Sequence, residues 1–274
     1  MSFGLTDLPE PADLHARLSV KRPLDWGRPI PTKADLAAAY GTDATIQSLT
    51  QLARAASVEA LVTGDLEASL GPRAACYQLA SRLKSPQSLA RKILKLTGTD
   101  FDGQPLEDVV RYTILTPEPD DLVPTAVDAC DALTARGWAM NGALHSYMDG
   151  SRYKGLHLFL QSHGERVEVQ IHSRESIDVK TRTTPLYVVE RDAAQPREAR
   201  NKARHAAIAL SGRMRQPAGI DDLTTLGGVP VEVRIYGRRR HTPVGRGEGN
   251  KSSPVQHPGT QDAVERNWRN GMSR

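Results

Sequence analysis

The chain has 274 residues, which is enough for one large domain or for one medium domain with appendages. Its 2 cysteines, Cys76 and Cys130, exclude a disulfide scaffold and a C-x-x-C metal pair. No apolar run approaches the roughly 20 residues needed to cross a bilayer, and the N-terminus has no apolar stretch typical of a signal peptide. We therefore expect a soluble, cytoplasmic protein, with a specialised export route left open. A formal net charge of +4 suits an anionic partner such as a polyphosphate or RNA, but proteins that bind neither often carry it too.

The N-terminal half is predicted to contain an arm and two helices. Residues 1–42 are rich in proline and poor in periodic apolar positions, which predicts an irregular arm. A helical pattern begins near Asp43 and continues past Leu61, with apolar residues at three- and four-residue spacing. A second helix is predicted from about Pro72 to Leu96, because proline suits a first helical turn and Gly98 lies just past the end.

The second half alternates between strand and helix patterns. Residues 109–115 favour a strand, 121–135 a helix, and 154–161 with 166–172 a hairpin closed by a short loop containing Gly164. Helices around 173–180 and 196–215 follow, and 231–236 is a further strand candidate. Residues 216–274 are predicted to be a C-terminal extension, largely disordered after residue 237, because that stretch has no apolar periodicity.

A basic row marks the second predicted helix. On a helix, Lys84, Ser88 and Lys92 would share one face, with Arg82 close by. Ammonium groups, a hydroxyl and a guanidinium in one row suit a chain of phosphates. A solvated basic helix face explains the same residues without any ligand.

A carboxylate precedes the first predicted strand. Asp108 next to Arg111 suits Mg²⁺ held beside a phosphate. A strand-end ion pair is the plainer alternative.

The predicted hairpin carries the third polar cluster. A tyrosine ring before a glycine offers a face on which a base can stack, and a glutamate on a central strand can act as general base towards a ribose hydroxyl. Ordinary polar residues of a half-exposed hairpin are the alternative. The residues concerned are Tyr153, Lys154 and His157, and then Glu168, Gln170 and His172, which alternation places on one face of their strand.

The order of these segments resembles the RelA/SpoT synthetase domain. The matching stretches read SRLKSPQSLARK, EDVVRYTI, YKGLH and VEVQIHSRES, and the similarity extends to roughly residue 215. The resemblance implies an α+β fold over residues 43–215, with a mixed β-sheet flanked by helices in a nucleotidyltransferase-like synthetase domain. It also implies a pyrophosphokinase that moves pyrophosphate from ATP to the 3′-hydroxyl of a purine nucleotide, with Mg²⁺ as cofactor.

The resemblance also implies a role for each matching residue. The triphosphate of ATP would be held by Arg82, Lys84, Ser88 and Lys92. Asp108 would bind Mg²⁺, and Glu168 would be the base or a second metal contact. Tyr153 would stack on the acceptor base with Lys154 and His157 nearby, and the site would be ordered by Gln170 and His172.

One strand motif departs from the family pattern D-x-x-G-x-R. Arg111 stands where glycine is expected, and Thr113 stands where the arginine is expected, so Arg111 is the candidate for the missing charge. The residues of these motifs are more similar to those of a divergent branch found in secreted nucleotide pyrophosphokinases and toxins.

Three alternatives follow from these features. The acceptor is a purine nucleotide, or it is the 3′ end of tRNA, or the chain is an inactive relative that binds nucleotide or RNA. No His-Asp dipeptide occurs, so the hydrolase half of long RelA/SpoT enzymes is missing. Unchecked synthesis would make the chain a toxin, and a partner antitoxin or immunity protein would then be expected.

Overall fold

The structure, a computed structural model, describes residues 4–99, 102–103 and 105–237. The disorder predicted after residue 237 lies outside this part of the chain. Within the described ranges, no helix has both the length and the apolar character that spanning a membrane requires. The seven helices of this part are α1 (Pro11–Leu18), α2 (Lys33–Tyr40), α3 (Thr42–Ala68), α4 (Pro86–Leu96), α5 (Leu122–Ala135), α6 (Arg174–Arg191) and α7 (Arg197–Ser211).

A seven-stranded mixed sheet runs through these residues, in the order β1-β2-β5-β4-β3-β7-β6. Strands β2 and β5 are parallel, as are β3 and β7, and the other neighbours are antiparallel. The predicted fold class, a mixed sheet flanked by helices, is confirmed. The strands are β1 (Ala75–Tyr77), β2 (Val110–Thr116), β3 (Ala139–His145), β4 (Leu156–Ser162), β5 (Glu165–Ser173), β6 (Thr225–Leu226) and β7 (Val229–Val233).

One face of the sheet forms the hydrophobic core. Its central residues come from alternate positions of β2, β4 and β5, all fully or nearly fully buried, including Ile114, Leu158 and Val169. Helix α3 lies on this face, because Thr63 of that helix hydrogen-bonds the Tyr112 hydroxyl at 2.7 Å. Burying each such side chain contributes about 1.5–3 kcal/mol. The opposite face of the same strands is therefore left for polar residues.

The prediction of an irregular N-terminal arm is wrong over two segments, which are helices α1 and α2. Pro11 occupies the first turn of α1, and Thr32 closes a capping box with Asp35 at the start of α2. Leu14 and Leu36 are each only 1% exposed, so both helices belong to the core. Two of the prolines that indicated irregular chain lie where helices begin, Pro11 in the first turn of α1 and Pro31 directly before the Thr32 cap of α2.

The prediction of one helix from Pro72 to Leu96 is also wrong. Strand β1 and one turn of 3₁₀ helix, Leu79–Ser81, occupy its first half, and α4 begins only at Pro86. Ser85 caps α4 by accepting a hydrogen bond from the Ser88 amide, and a proline follows the cap. Lys84 therefore precedes the helix, and it does not share a helical face with Ser88 and Lys92.

The predicted hairpin is present as β4 and β5. Its two loop residues, His163 and Gly164, both have positive φ angles of 50° and 80°, the pattern of a tight hairpin turn. The helix predicted around 173–180 continues to Arg191 as α6. Strand β3 was not predicted, because its sequence AMNGALH has little β-branched or aromatic character.

Candidate functional site

The polar face of the sheet is defined by the register of its three central strands. Arg111 of β2 lies beside Glu168 of β5, and Gln170 of β5 lies beside His157 of β4. Residues that are direct neighbours in register point to the same side of a sheet. The structure thus brings together four residues that the sequence placed in two separate motifs.

Glu168 is the centre of this face. Its side chain is 1% exposed, and its Oε1 atom accepts hydrogen bonds from His157 Nδ1 at 2.8 Å and Gln170 Nε2 at 2.9 Å. Its Oε2 atom is buried without a hydrogen-bond partner among the described residues. A buried, unpartnered carboxylate oxygen is costly for a fold, so it marks a position where a ligand or a proton donor is expected.

Several neighbours act on the ionisation of Glu168. Burial would raise the pKa of its carboxyl group, but the His157 hydrogen bond and the Arg111 charge bring that pKa below its ordinary value. Burial also lowers the pKa of His157. Near neutral pH the pair is therefore a carboxylate that accepts a hydrogen bond from a neutral imidazole.

A chain of hydrogen bonds continues behind His157. The Tyr153 hydroxyl lies 2.7 Å from His157 Nε2 and 3.0 Å from His172 Nε2, and Ser176 Oγ lies 2.9 Å from His172 Nδ1. All four side chains are buried. Burial lowers the pKa of His172 well below its ordinary value, so its ring is neutral.

Tyr153 has no open face for stacking in this structure. The residue is only 5% exposed. Its ring packs edge-on against the rings of His157, His172 and Tyr236, with centroids 5.5 to 5.7 Å apart. The expected aromatic platform is therefore corrected: the structure uses the hydroxyl of this tyrosine and encloses its ring.

A second buried cluster lies at the start of β2. The Asp108 carboxylate receives Lys84 Nζ at 2.5 Å and Lys92 Nζ at 2.6 Å. Lys84 reaches this position because residues 82–84 lie alongside the start of β2. The Lys84 amide donates to the Val109 carbonyl, and the Arg111 amide donates to the Arg82 carbonyl. Two cations against one anion leave a surplus positive charge in a buried place, which suits an anionic ligand.

Arg111 connects the two clusters electrostatically. Its half-buried guanidinium makes no hydrogen bond or ion pair within the described ranges, yet its charge acts on both Glu168 and Lys84. Burial lowers the pKa of Lys84 to about 7, together with the charges of Lys92 and Arg111 and against the opposing effect of Asp108. Arg111 and Lys180 are the basic side chains whose charges act together with that of Glu168.

Arg82 lies elsewhere, which corrects its predicted contact with triphosphate. It is 1% exposed, and its Nε atom donates to Glu59 at 2.5 Å. Its other two nitrogens donate to backbone carbonyls of the N-terminal region and of the 3₁₀ turn, those of Leu18, Arg22, Pro23 and Leu79. Every donor direction of this guanidinium is used inside the fold, so it fastens the N-terminal segment to α3.

Two other predicted ligands lie near the site without pointing to its centre. Ser88 is buried at the start of α4, where its hydroxyl accepts from Ser85 Oγ at 2.7 Å. Lys154 is 5% exposed, and burial lowers its pKa despite the opposing charges of three carboxylates, Asp149, Glu175 and Asp221. Their predicted roles with substrate stay predictions.

Sequence reasoning missed Lys180 and Ser176 as site residues. Lys180 Nζ donates to Gln170 Oε1 at 3.3 Å, and burial together with the Arg111 charge lowers its pKa to about 7. Both residues lie on α6 four positions apart, on the side that faces the sheet. Their spacing after the E-V-Q-I-H strand is the signal that would have identified them.

The two predicted metal ligands do not fit Mg²⁺ as a pair. Both oxygens of Asp108 are bonded to lysines, and only Oε2 of Glu168 is free. The described residues hold no group of three or more His, Cys, Asp or Glu side chains suited to a metal ion. Mg²⁺ can bind through one carboxylate together with substrate phosphates.

Comparison with known proteins gives a likeness in structure and none in sequence. No protein-family model matches the sequence, and no curated protein matches it. The fold is similar to the crystal structure of the small alarmone synthetase 1 from Bacillus subtilis bound to its product pppGpp. The TM-score is 0.30 and the sequence identity 16%, over 50% of this chain and 71% of that chain. A likeness at this level identifies neither a substrate nor the role of any residue.

Proposed function

We propose that this protein is a pyrophosphokinase that transfers the terminal pyrophosphate of ATP to the 3′-hydroxyl of a purine nucleotide. The observation that carries the proposal is the free, buried Oε2 atom of Glu168 on a sheet face that also holds Arg111 and borders Lys84 and Lys92. A base beside an arginine and near lysines suits phosphoryl-type transfer, because the reaction needs charge neutralisation and a prepared nucleophile.

In this proposal the carboxylate and the cations have separate tasks. Glu168 Oε2 takes the proton of the acceptor 3′-hydroxyl, whose oxygen bonds to the β-phosphorus of ATP. The bond between the β-phosphorus and the bridging oxygen of the α-phosphate breaks, and AMP leaves with that electron pair. Arg111 and Lys84 stabilise the negative charge that spreads over the phosphate oxygens.

The arrangement of charges suits a polyphosphate substrate. A carboxylate alone would repel a triphosphate, whereas Arg111 lies beside Glu168 in register and Lys180 bonds Gln170, which in turn bonds Glu168. Lys84 and Lys92 pair with Asp108 near the start of β2. Four basic side chains therefore accompany two carboxylates, and the face attracts polyphosphate to the extent that Lys84 and Lys180, each with a pKa of about 7, are protonated.

A transfer assay tests the proposal. Purified protein is incubated with ATP labelled in its terminal phosphate, with and without Mg²⁺, and with AMP, ADP, GDP, GTP or deacylated tRNA as separate acceptors. Label on a mononucleotide together with released AMP is the expected result. Label on tRNA alone would change the acceptor to an RNA 3′ end, and no transfer to any acceptor would refute the enzyme.

Variants connect the assay to the site. Glu168→Gln keeps the shape of the side chain and removes its basicity, so we expect kcat to fall by about 10²-fold or more. Glu165→Gln, on the same strand but paired with the exposed side chain of Arg54, is the matched control and should leave kcat unchanged. Equal activity in the two variants would show that Glu168 is not the base.

The proposal includes toxicity as a consequence to be measured. With no hydrolase motif in the sequence, product would accumulate and ATP would fall in a host that expresses the chain. Growth arrest with wild-type protein but not with Glu168→Gln is expected. Normal growth and nucleotide pools in both would contradict a toxin, and the search for an antitoxin or immunity protein would then have no basis.

A further inference from the structure

We infer that Tyr153 is a positioning residue: its hydroxyl sets the orientation of the base Glu168 through His157. Its ring does not stack on the substrate. This inference rests on the function proposed above. The ring of Tyr153 is enclosed by three other rings, but its hydroxyl contacts the two histidines of the site at 2.7 and 3.0 Å. The polar end of this side chain is therefore the part that faces the chemistry.

The direction of each hydrogen bond follows from the ionised state of Glu168. A carboxylate only accepts, so His157 must carry its proton on Nδ1 to bond with Oε1 at 2.8 Å. The other nitrogen of that neutral ring is then an acceptor, and the single proton of the Tyr153 hydroxyl must be donated to it.

The same reasoning fixes the second histidine. Since Tyr153 has given its proton to His157, its oxygen accepts from His172, which therefore carries its proton on Nε2. The Nδ1 atom of His172 carries no proton, so it accepts a hydrogen bond from Ser176 Oγ at 2.9 Å. The Ser176 hydroxyl therefore donates to His172 and not to the Ser173 carbonyl, which lies 3.0 Å away. One consistent set of protons thus extends from α6 to Glu168.

The chain matters because it holds the His157 ring from both sides. If the Tyr153 hydroxyl is removed, the buried Nε2 atom of His157 loses its hydrogen-bond donor, and only the bond from Nδ1 to Glu168 still fixes the ring. The ring is then free to rotate, and Glu168 moves with it from the position that Gln170 and His157 now define for it. Its free Oε2 atom would no longer point towards the acceptor.

Gly155 supports this use of the tyrosine. A Cβ atom at that position would lie 2.6 Å from the Tyr153 hydroxyl oxygen and 2.9 Å from Cε1 of His172. The glycine of the Y-K-G-L-H motif therefore leaves the space in which the tyrosine hydroxyl meets the two histidines.

Tyr153→Phe separates the two roles, because phenylalanine keeps a stacking ring and loses only the hydroxyl. Tyr112→Phe is the matched control: that tyrosine is equally buried on the other face of the sheet, and its hydroxyl bonds Thr63 at 2.7 Å. We expect kcat to fall at least about tenfold in Tyr153→Phe with less than about a threefold change in KM for the acceptor, and to stay unchanged in Tyr112→Phe. Unchanged kcat in Tyr153→Phe, or an equal loss in both variants, would overturn the inference.

A second measurement does not depend on turnover. The ring ¹⁵N resonances of ligand-free wild-type protein should show His157 protonated on Nδ1 and His172 on Nε2, with the His157 signals assigned by their loss in His157→Gln. Tyr153→Phe should move the Nε2 resonance of His157 towards the value of a ring nitrogen that accepts no hydrogen bond, and Tyr112→Phe should not. The opposite tautomers in the wild type would overturn the inference even if Tyr153→Phe does not fold. Correct tautomers in a wild-type protein without transfer activity would instead refute the proposed reaction and leave this hydrogen-bond chain in place.

Discussion

Replacing Arg82 with methionine should destabilise the fold and leave ATP binding intact. The guanidinium is buried against Glu59, whose other hydrogen-bond partner among the described residues is the Thr63 hydroxyl at 2.6 Å. Arg82→Met therefore leaves a buried carboxylate without its counter-charge. This position tests the structure sharply, because a resemblance of motifs assigns the same arginine to the triphosphate.

The magnitude follows from the contacts that are lost. Removing one partner of a buried ion pair costs about 3–5 kcal/mol, and the guanidinium's bonds to four backbone carbonyls are also lost. A typical domain has about 5–15 kcal/mol of stability in total. We expect Arg82→Met to lose at least about 3 kcal/mol of unfolding free energy. The double variant Arg82→Met with Glu59→Met should recover only part of it, because the carbonyls of Leu18, Arg22 and Pro23 still lack the guanidinium donor.

Urea unfolding followed by circular dichroism measures this loss, and calorimetric titration with ATP at low temperature measures binding by the folded fraction. Lys84→Met is the comparison, since Lys84 lies at the site and should weaken ATP binding by about tenfold. An unchanged urea midpoint with lost ATP affinity in Arg82→Met would refute the structural role of this arginine.

Three further predictions concern packing and ionisation. Gly155→Ala should destabilise the protein by about 1–3 kcal/mol in urea unfolding, because the new methyl group overlaps Tyr153; an unchanged midpoint would show that the tyrosine can move aside. Burial lowers the pKa of Lys180 to about 7 from an ordinary 10.5, so the unfolded chain binds more protons between these values and the unfolding free energy rises with pH over that range. Lys180→Met should make that rise smaller in a urea series from roughly pH 7 to pH 10, and equal slopes would contradict the shift. Burial raises the pKa of Cys76 to about 11 and also raises that of Cys130, so intact mass after iodoacetamide at about pH 7 should show no rapid labelling until the protein is unfolded.

Local patterns were enough to predict the hairpin and its polar face. Alternation placed Glu168 and Gln170 on one side of their strand, and the glycine in the loop indicated a tight turn, both of which are properties of neighbouring residues. Register then placed His157 opposite Gln170. The hairpin part of the face therefore lies within residues 153–172, whereas Arg111 joins it from β2.

Long-range partners could not be derived in this way. Arg82 pairs with Glu59, 23 residues away, and with carbonyls about 60 residues away, so its basic character alone favoured a phosphate contact. Asp108 likewise has its two oxygens occupied by lysines that precede it by 24 and 16 residues. The sequence shows which side chains are charged, but only the folded structure shows whether their counter-charges lie inside the protein or on a ligand.

The start of α4 was predicted wrongly because two prolines both suit the first turn of a helix. Pro72 and Pro86 both suit a first helical turn, and only the second has a capping serine directly before it. Attention to caps would have corrected the length of α4 and revealed α2, which begins at the Thr32 capping box. The domain boundary at residue 215 stays a prediction.

The strand order also determines when the chain can complete its fold during synthesis. The hairpin of β4 and β5 is local and can close within about 1–10 μs. Strand β2, in contrast, pairs with β5, so Val110 cannot pair until Val167 has been synthesised. The apolar side of α3, made long before, lacks most of its sheet until that pairing forms. We therefore expect refolding to be slowed by closure of this long loop and its yield to fall as protein concentration rises, since unpaired β2 and exposed α3 favour association between chains.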